Sequence, residues 1–362
     1  MVNNNDKKVL NVPALRFPEF SGEWKHVHLK EIAEFQKQRI STALLNNNNY
    51  ISTENILQDF EGIQCSSSMP ANVNVIKYQN EDILLSNIRP YLKKVWFADR
   101  KGGCSADVLV LRGNKCDKYF LYYVIASDRF INYVMSGIKG VKMPRGDKNQ
   151  MEEYAFSIPT NMEQKRIAKF ISILDERIRL QNKIIEKLES LIKGIADKLF
   201  QTARETKLLL ELAPNITSGT DKNGSGTIPL YGSTGIIGKV KNASQKGNIV
   251  LVARVGTIGT VQYVKESCGV SDNALIVEAG EMTKYIYHFL KTYKFAHITS
   301  GTTQPLITAS SLKKIAVPTY DIERQTQIVL CLNILERKLD IEKQYLSDIA
   351  MMKQYLLHQM FI

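Results

Sequence analysis

The stretch Gly232-Ser233-Thr234-Gly235-Ile236-Ile237-Gly238-Lys239 comes nearest to a phosphate-binding loop. Such a loop places four residues between two glycines, so that backbone amides wrap the phosphates. Lys then supplies charge, and Ser or Thr holds magnesium. Here five residues separate Gly232 from Gly238, and Val240 follows Lys239, so a turn between strands is the better reading. His26 and His28 flank Val27 and read as lying on opposite faces of an extended stretch, a poor metal pair. Cys104 and Cys116 bracket a β-leaning segment and read as core or rim thiols. Glu163-Gln164-Lys165 opens a helix with no acidic motif before it, which points to capping and surface charge. There is no G-x-G-x-x-G, and no Asp/Asn-Pro-Pro-aromatic motif with which an adenine methyltransferase would hold its target amine. No catalytic or metal-binding residue is assigned.

What is left is polar and basic, and it sits in loops. In the first half Lys37 and Arg39 follow an apolar piece, and Asn87, Arg89, Tyr91, Lys93 and Lys94 follow an apolar strand. Lys139, Lys142, Arg145 and Lys148 lie in the Gly-rich segment 136–150, which reads as an exposed loop. In the second half Ser233, Lys239 and Lys241, then Arg254 and Thr257, then Thr302, Thr303 and Gln304 occupy comparable places. Arg and Lys suit phosphates and guanine edges, while Asn and Gln can pair with adenine. Taken singly, each could be an ordinary solvated loop residue. Their matched placement favours recognition of double-stranded DNA, and the net charge of +12 with pI near 9.3 fits a polyanionic partner.

Two long helices must position these loops. From Thr160 to Phe200 the seam Ile171, Leu174, Ile178, Gln181, Ile185, Leu188, Ile192, Ile195, Leu199 alternates steps of three and four. Two positions in seven over four heptads is a coiled-coil pattern. A second seam, Leu332, Leu335, Leu339, Glu342, Leu346, Ile349, Lys353, Leu356, Met360, repeats it with every residue 161 positions later. Both helices follow an apolar-Pro-Thr triplet, and Phe200 and Phe361 close them. Between them the halves align at a spacing of 166, Ile83 falling on Ile249, Leu111 on Val277 and Tyr119 on Tyr285. Tyr119 to Met135 reads as one helix with an aromatic face. The chain is thus a duplication, each half an α+β domain followed by one long helix.

The expected layout is a disordered start (1–11), a first domain (12–159), a helix (160–202), a second domain (203–318) and a closing helix (319–362). The second domain lies between the end of one helix and the start of the other, so the helices should pair antiparallel. Each would be about 60 Å long, with pseudo-symmetric domains at opposite ends. Gln181 and Glu342 hold equivalent seam positions, and an amide donating to a carboxylate there would fix the register. Of 362 residues 44% are hydrophobic, mean hydropathy is −0.19, and no apolar run suffices to cross a bilayer. With five unpatterned cysteines and no leader peptide, the expected location is the cytoplasm.

Leu15-Arg16-Phe17-Pro18-Glu19-Phe20, Gly22-Glu23-Trp24, Asn87-Ile88-Arg89-Pro90-Tyr91 and Tyr231-Gly232-Ser233-Thr234-Gly235, with the Ile-Pro-Thr run into each long helix, carry a resemblance. Over nearly its whole length the chain resembles the specificity subunit of type I restriction–modification systems. That resemblance implies two target-recognition domains, each reading one half of a bipartite DNA site, on an antiparallel coiled coil. It implies two methyltransferase subunits docked on the helices and a restriction/translocase subunit added for cleavage. S-adenosylmethionine, ATP and Mg would belong to those partners, with no cofactor in this chain and no membrane contact. The alternative is a stand-alone two-headed DNA-binding regulator; a nuclease or methyltransferase acting alone fits less.

Overall fold

The computed structural model describes residues 11–66, 68–138, 144–301 and 305–362. Of the start expected to be disordered only Asn11 is therefore placed, its amide donating to the Trp24 carbonyl at 2.6 Å. The chain forms two units, one of residues up to Leu180 with Leu346–Ile362, the other Gln181–Tyr345. Both are α+β.

In the first unit β1 (Lys25–His28) runs into α1 (Leu29–Ile32) and β2 (Ala33–Phe35). There follow β3 (Arg39–Ser41), β4 (Tyr50–Ile51), β5 (Asn74–Tyr78), β6 (Ile83–Ser86), β7 (Val95–Phe97), β8 (Gly102–Cys104) and β9 (Val108–Gly113). Helices α2 (Lys118–Ile125), α3 (Asp128–Ser136) and α4 (Lys148–Glu152) come next, and β10 (Ala155–Ile158) leads into α5 (Asn161–Gln201). One antiparallel sheet has the order β2-β9-β6-β7. A second, β3-β5-β8-β4, holds β4 parallel to β8, and β1 pairs with β10. β6 is buried at all positions because both its faces are covered. Ile83 and Leu85 point into the helix-side core and Leu84 into the core against the other sheet.

The second unit repeats this with β11 (Glu205–Leu208), α6 (Leu209–Leu212), β12 (Asn215–Ser218), β13 (Ile228–Gly232) and β14 (Gly235–Val240). It continues with β15 (Ile249–Ala253), β16 (Val261–Val264), β17 (Gly269–Val270), β18 (Ala274–Glu278), α7 (Thr283–Thr292), α8 (Ala309–Lys313), β19 (Ala316–Thr319) and α9 (Ile322–Met360). β12-β18-β15-β16 matches the first unit's antiparallel sheet, β11 pairs with β19, and β13 lies parallel to β17 as β4 does to β8. The Gly-rich run 232–239 is the hairpin between β13 and β14, a turn as read above.

Strand register corrects the uniform spacing of 166. Ile83 lies opposite Leu111, and it is Val250, not Ile249, that lies opposite Val277. The loop after β15 is one residue shorter than the loop after β6, and a one-residue slip reverses which face each side chain takes. Likewise Phe120, not Tyr119, is the counterpart of Tyr285. Phe120 stacks on Phe361 and Tyr285 packs edge-on to Phe200, the phenylalanines that close the two long helices. The helix expected over Tyr119–Met135 is two helices. After Ala126 the hydroxyl of Ser127 accepts from Phe130 N and starts α3 afresh.

The long helices complete both cores. In the first unit Ile167, Ile171 and Leu174 of α5 meet Ile349, Leu356 and Met360 of α9 in the cluster that holds Phe120. In the second, Ala196 and Phe200 of α5 meet Ile328 and Leu332 of α9. Within that unit Gln181 pairs with Glu342 and Tyr320 with Leu199, so the helices run antiparallel. Gln181 Nε2 donates to Glu342 Oε2 at 2.6 Å and to the Glu342 carbonyl at 3.1 Å. Hydrogen bonds from Lys338 and Gln181 hold the Glu342 carboxyl below its ordinary range. In the first unit the seam lysine Lys353 pairs with Asp175 at 2.5 Å, and Tyr123 donates to the same carboxylate at 2.7 Å.

Glu163 is not surface charge. It is fully buried, and Arg16 of the leader grips it through Nε at 2.7 Å and Nη2 at 2.8 Å. Gln164 is buried too, accepting from Asp117 N and donating to the Pro159 carbonyl. Removing one partner of such a pair leaves an uncompensated buried charge, at about 3–5 kcal/mol. Arg16→Ala should therefore lower the thermal unfolding midpoint of the full chain by several degrees, and pairing it with Glu163→Leu should restore most of the loss. Unchanged unfolding in Arg16→Ala would contradict this.

Candidate functional site

At one end of the first unit's antiparallel sheet, the loop after β6 is clasped by the segment before α4. Asn87 N donates to the Asp107 carbonyl at 2.8 Å, Gly146 N to the Asn87 carbonyl at 3.0 Å, and Arg89 N to the Pro144 carbonyl at 2.8 Å. Ile88 and Arg145 form a β-bridge. These bonds place Asn87, Arg89 and Arg145 together. Arg89 and Lys93 both have positive φ and bracket a short turn over Pro90–Leu92, which leaves Tyr91 49% exposed. Lys37 is exposed just beyond β2, whose following residue Gln36 bonds Val110 at the same end of the sheet. Arg39 is exposed on β3.

Other candidates are engaged within the fold. Lys93 pairs with Asp128 at 2.8 Å, and Lys94 Nζ donates to the Thr53 carbonyl at 2.7 Å. Lys148 lies in α4, not in a loop, over the ring of Phe35. Asp147 caps that helix through Asn149 N at 2.8 Å. Lys139, Lys142, Thr302, Thr303 and Gln304 lie outside the described residues.

The second unit builds the same clasp. Arg254 N donates to the Asn273 carbonyl at 3.0 Å, and Ile307 N to the Arg254 carbonyl at 3.0 Å, which makes Arg254 the structural counterpart of Asn87. Arg254 Nη1 donates to Ser218 Oγ at 3.0 Å. Thr257 Oγ1 donates to the Ser233 carbonyl at 3.3 Å, which brings the β13–β14 turn to this loop. Gln262, which no sequence motif singles out, ties the same turn through the Gly232 carbonyl at 2.9 Å. Lys239 and Lys241 are exposed at the far end of β14, roughly 15 Å along the strand from Ser233, and do not join this group. Beside the Thr257 loop a concavity of about 680 Å³ is lined by Ile258, Tyr293, Lys294, Phe295 and Thr299. Tyr293 and Lys294 carried no signal in the sequence beyond their type.

Both long helices carry a second apolar stripe that the seam pattern does not reveal. Ile173, Leu180, Ile184 and Leu191 on α5 are all exposed, between 46% and 54%. Their counterparts 161 positions on, Ile334, Ile341, Tyr345 and Met352 of α9, are exposed as well. The signal that could have found them is the offset itself, because surface positions repeat with it as faithfully as the seam does.

Ionisable groups elsewhere serve the fold. Burial pushes the Cys104 and Cys116 thiols up to about 12 and Cys268 up to about 11. His26 and His28, read above as facing apart, share one side of β1 with rings 6.4 Å apart, since alternate strand residues point the same way. Among the described residues no group of three or more His, Cys, Asp or Glu is placed to hold a metal ion. Nor is any helix among them long and apolar enough to cross a membrane. His288 of α7 is buried, with Nε2 at 3.0 Å from Asn333 Oδ1 and Nδ1 at 3.7 Å from Glu336, which also binds Lys291. It takes the place that Tyr123 holds in the first unit. Burial keeps its imidazole below the ordinary value against the pull of Glu336.

Two α+β units of one topology, each closed by two antiparallel helices and each with a polar clasp at one sheet end, define a tandem-duplicated class of chain. Residues 21–190 and 209–351 match the type I restriction modification DNA specificity domain, and the chain belongs to that family. It is 30% identical over 196 residues to the type I restriction enzyme MjaVIII specificity subunit of Methanocaldococcus jannaschii, covering 51% of this chain and 43% of that protein. To the type I restriction enzyme EcoDI specificity subunit of Escherichia coli it is 25% identical over 129 residues, 34% of this chain and 29% of that one. The matched parts thus span less than half the length of these curated relatives. The fold is similar to the crystal structure of the type I restriction–modification S subunit from M. genitalium, with TM-score 0.65, 18% identity and coverage of 97% and 99% of the two chains. A chain from a study of complex assembly and conformational transition in the type I system aligns with TM-score 0.58, 17% identity and coverage of 92% and 96%.

A group whose folded pKa is depressed stabilises the fold above its unfolded pKa and loses that contribution as pH falls. For His288 the loss begins near pH 6.5 and grows toward the lower folded value. His288→Gln should therefore flatten the fall in unfolding midpoint between pH 7.5 and 5.5 relative to the native chain. Parallel profiles would show that the imidazole titrates without cost.

Proposed function

We propose that this chain is the DNA-reading subunit of a type I restriction–modification complex, each α+β unit reading one half of a bipartite duplex site. The observation that carries this is the duplicated clasp, which presents Asn87, Arg89 and Arg145 in one unit and Arg254, Thr257 and Ser233 in the other. Basic, forked and amide side chains on a hydrogen-bonded frame suit phosphates and major-groove base edges. In this reading the recognition modules are residues 12–159 and 203–318. The clasp residues of the two modules differ in type, so the two half-sites differ in sequence.

The outer stripes on α5 and α9 are the docking faces for two methyltransferase chains. Apolar side chains exposed in helical register mark interaction surfaces, and the repeat supplies two equivalent ones. S-adenosylmethionine, ATP and Mg belong to the methyltransferase and restriction partners, and the complex works in the cytoplasm. The full chain by itself transfers no methyl group.

Arg89→Ala and Arg254→Ala should each weaken binding of the full chain or its complex to its duplex site. If the side chain reads a guanine edge, its removal costs about 1–3 kcal/mol and relaxes one position. If it binds a phosphate, its removal weakens all sequences alike and lowers the salt slope by about one. Unchanged affinity and salt dependence in both variants would place the reading surface elsewhere.

Ile334→Asp combined with Ile341→Asp should leave helicity intact by circular dichroism and cut copurifying methyltransferase from two chains to one, and adding Ile173→Asp with Leu180→Asp should remove the second. Undiminished copurification would remove the stripe as the docking face. A chain that binds its site tightly and never recruits methyltransferase would instead be a stand-alone regulator.

A further inference from the structure

Arg145 is held in a way that its neighbours are not. Its Nη1 donates to Asp107 Oδ1 at 2.8 Å, with the two side chains 56% and 36% exposed. Both residues stand on fixed backbone, Arg145 through its bridge to Ile88 and Asp107 through its carbonyl, which accepts from Asn87 N. An ion pair this exposed adds little to stability. Its effect is to aim the arginine. With Nη1 engaged, the Nε–Nη2 edge is left, and no hydrogen bond among the described residues occupies it. That edge is a planar two-donor fork matching O6 and N7 of guanine.

The carboxylate separates a base from a phosphate as the ligand. Beside a phosphate Asp107 would add like-charge repulsion and cancel much of the attraction that Arg145 supplies. Against base edges in the major groove it is accommodated, and its second oxygen can accept from a cytosine amino group. The second unit shows the two residues changing together: Leu306 stands at the place of Arg145 and Asn273 at that of Asp107. Arg254 there is hydrogen-bonded to a neutral hydroxyl rather than to a carboxylate.

We infer that Arg145 and Asp107 together read one G·C base pair in the half-site of the first unit, Arg145 contacting guanine and Asp107 acting as its positioning residue. This rests on the proposed DNA-reading role of that unit. The test uses the full-length chain assembled with its methyltransferase partners. Methylated adenines are mapped by sequencing, and binding to a randomised duplex pool is measured across salt concentrations. Arg145→Lys keeps the charge and loses the fork; Asp107→Asn keeps the shape and loses the charge.

Both variants should relax a single G·C position in one half-site by about tenfold or more, with the other half-site unchanged as the control for folding. Asp107→Asn should also hold or raise affinity for non-specific DNA and steepen its salt dependence. A motif unaltered in Asp107→Asn, or a uniform loss over all sequences in Arg145→Ala with Arg145→Lys tolerated, makes Arg145 a phosphate contact and overturns the inference alone. A native complex that yields no two-part motif overturns the reading role with it.

Discussion

Neither unit has a closed core without both long helices. The sheets and short helices of the first unit leave Phe120, Leu121 and Val124 to be covered, and Ile171 of α5 with Leu357 and Phe361 of α9 cover them. In the second unit Tyr285, Ile286 and Phe289 depend in the same way on Phe200 and Leu332. Segments nearly two hundred residues apart in sequence therefore share one apolar cluster. Burial of these large side chains is the main favourable term in folding, so the position of the helices and the folding of each unit are one equilibrium.

Polar groups interrupt this apolar packing at matched places, and each is answered. Asp175 of α5 meets Lys353 and Tyr123, while its counterpart Glu336 of α9 meets Lys291 and lies beside His288. Gln181 meets Glu342, a pair that an apolar seam alone would not specify. A polar seam residue costs stability in a coiled coil and gives register in exchange. A heptad slip would strand the amide and the carboxylate in a half-buried seam, so the pair selects one alignment of the helices within the second unit.

The seams, the duplication and the α+β class were legible because they are periodic and repeat at a constant offset. The missing pieces depend on contacts that no local pattern encodes. Arg16 and Glu163 lie 147 residues apart, and Glu163 in a helix's first turn looks like any exposed cap. The break at Ser127 hid inside an aromatic run whose helical spacing continues across it. The slip of β15 against β6 was masked because both strands are runs of apolar residues, so a shift by one still sets apolar on apolar. Among the loop candidates, type and charge could not separate Arg145, aimed outward, from Lys94, bound to the Thr53 carbonyl. That difference arises from the clasp, which joins segments 20 to 59 residues apart only after the sheet has formed.

Two clasps of one geometry with different side chains suit the proposed reading of a single duplex at two places, with both long helices contributing to the core of each unit. The central claim is that division of labour. Mapping methylated adenines in cells that carry the unaltered chain with the methyltransferase partners proposed for it tests it most directly. The account predicts one motif made of two short, unlike blocks separated by a gap of constant length and no sequence preference. A single uninterrupted motif, two identical blocks or a gap of variable length would contradict it.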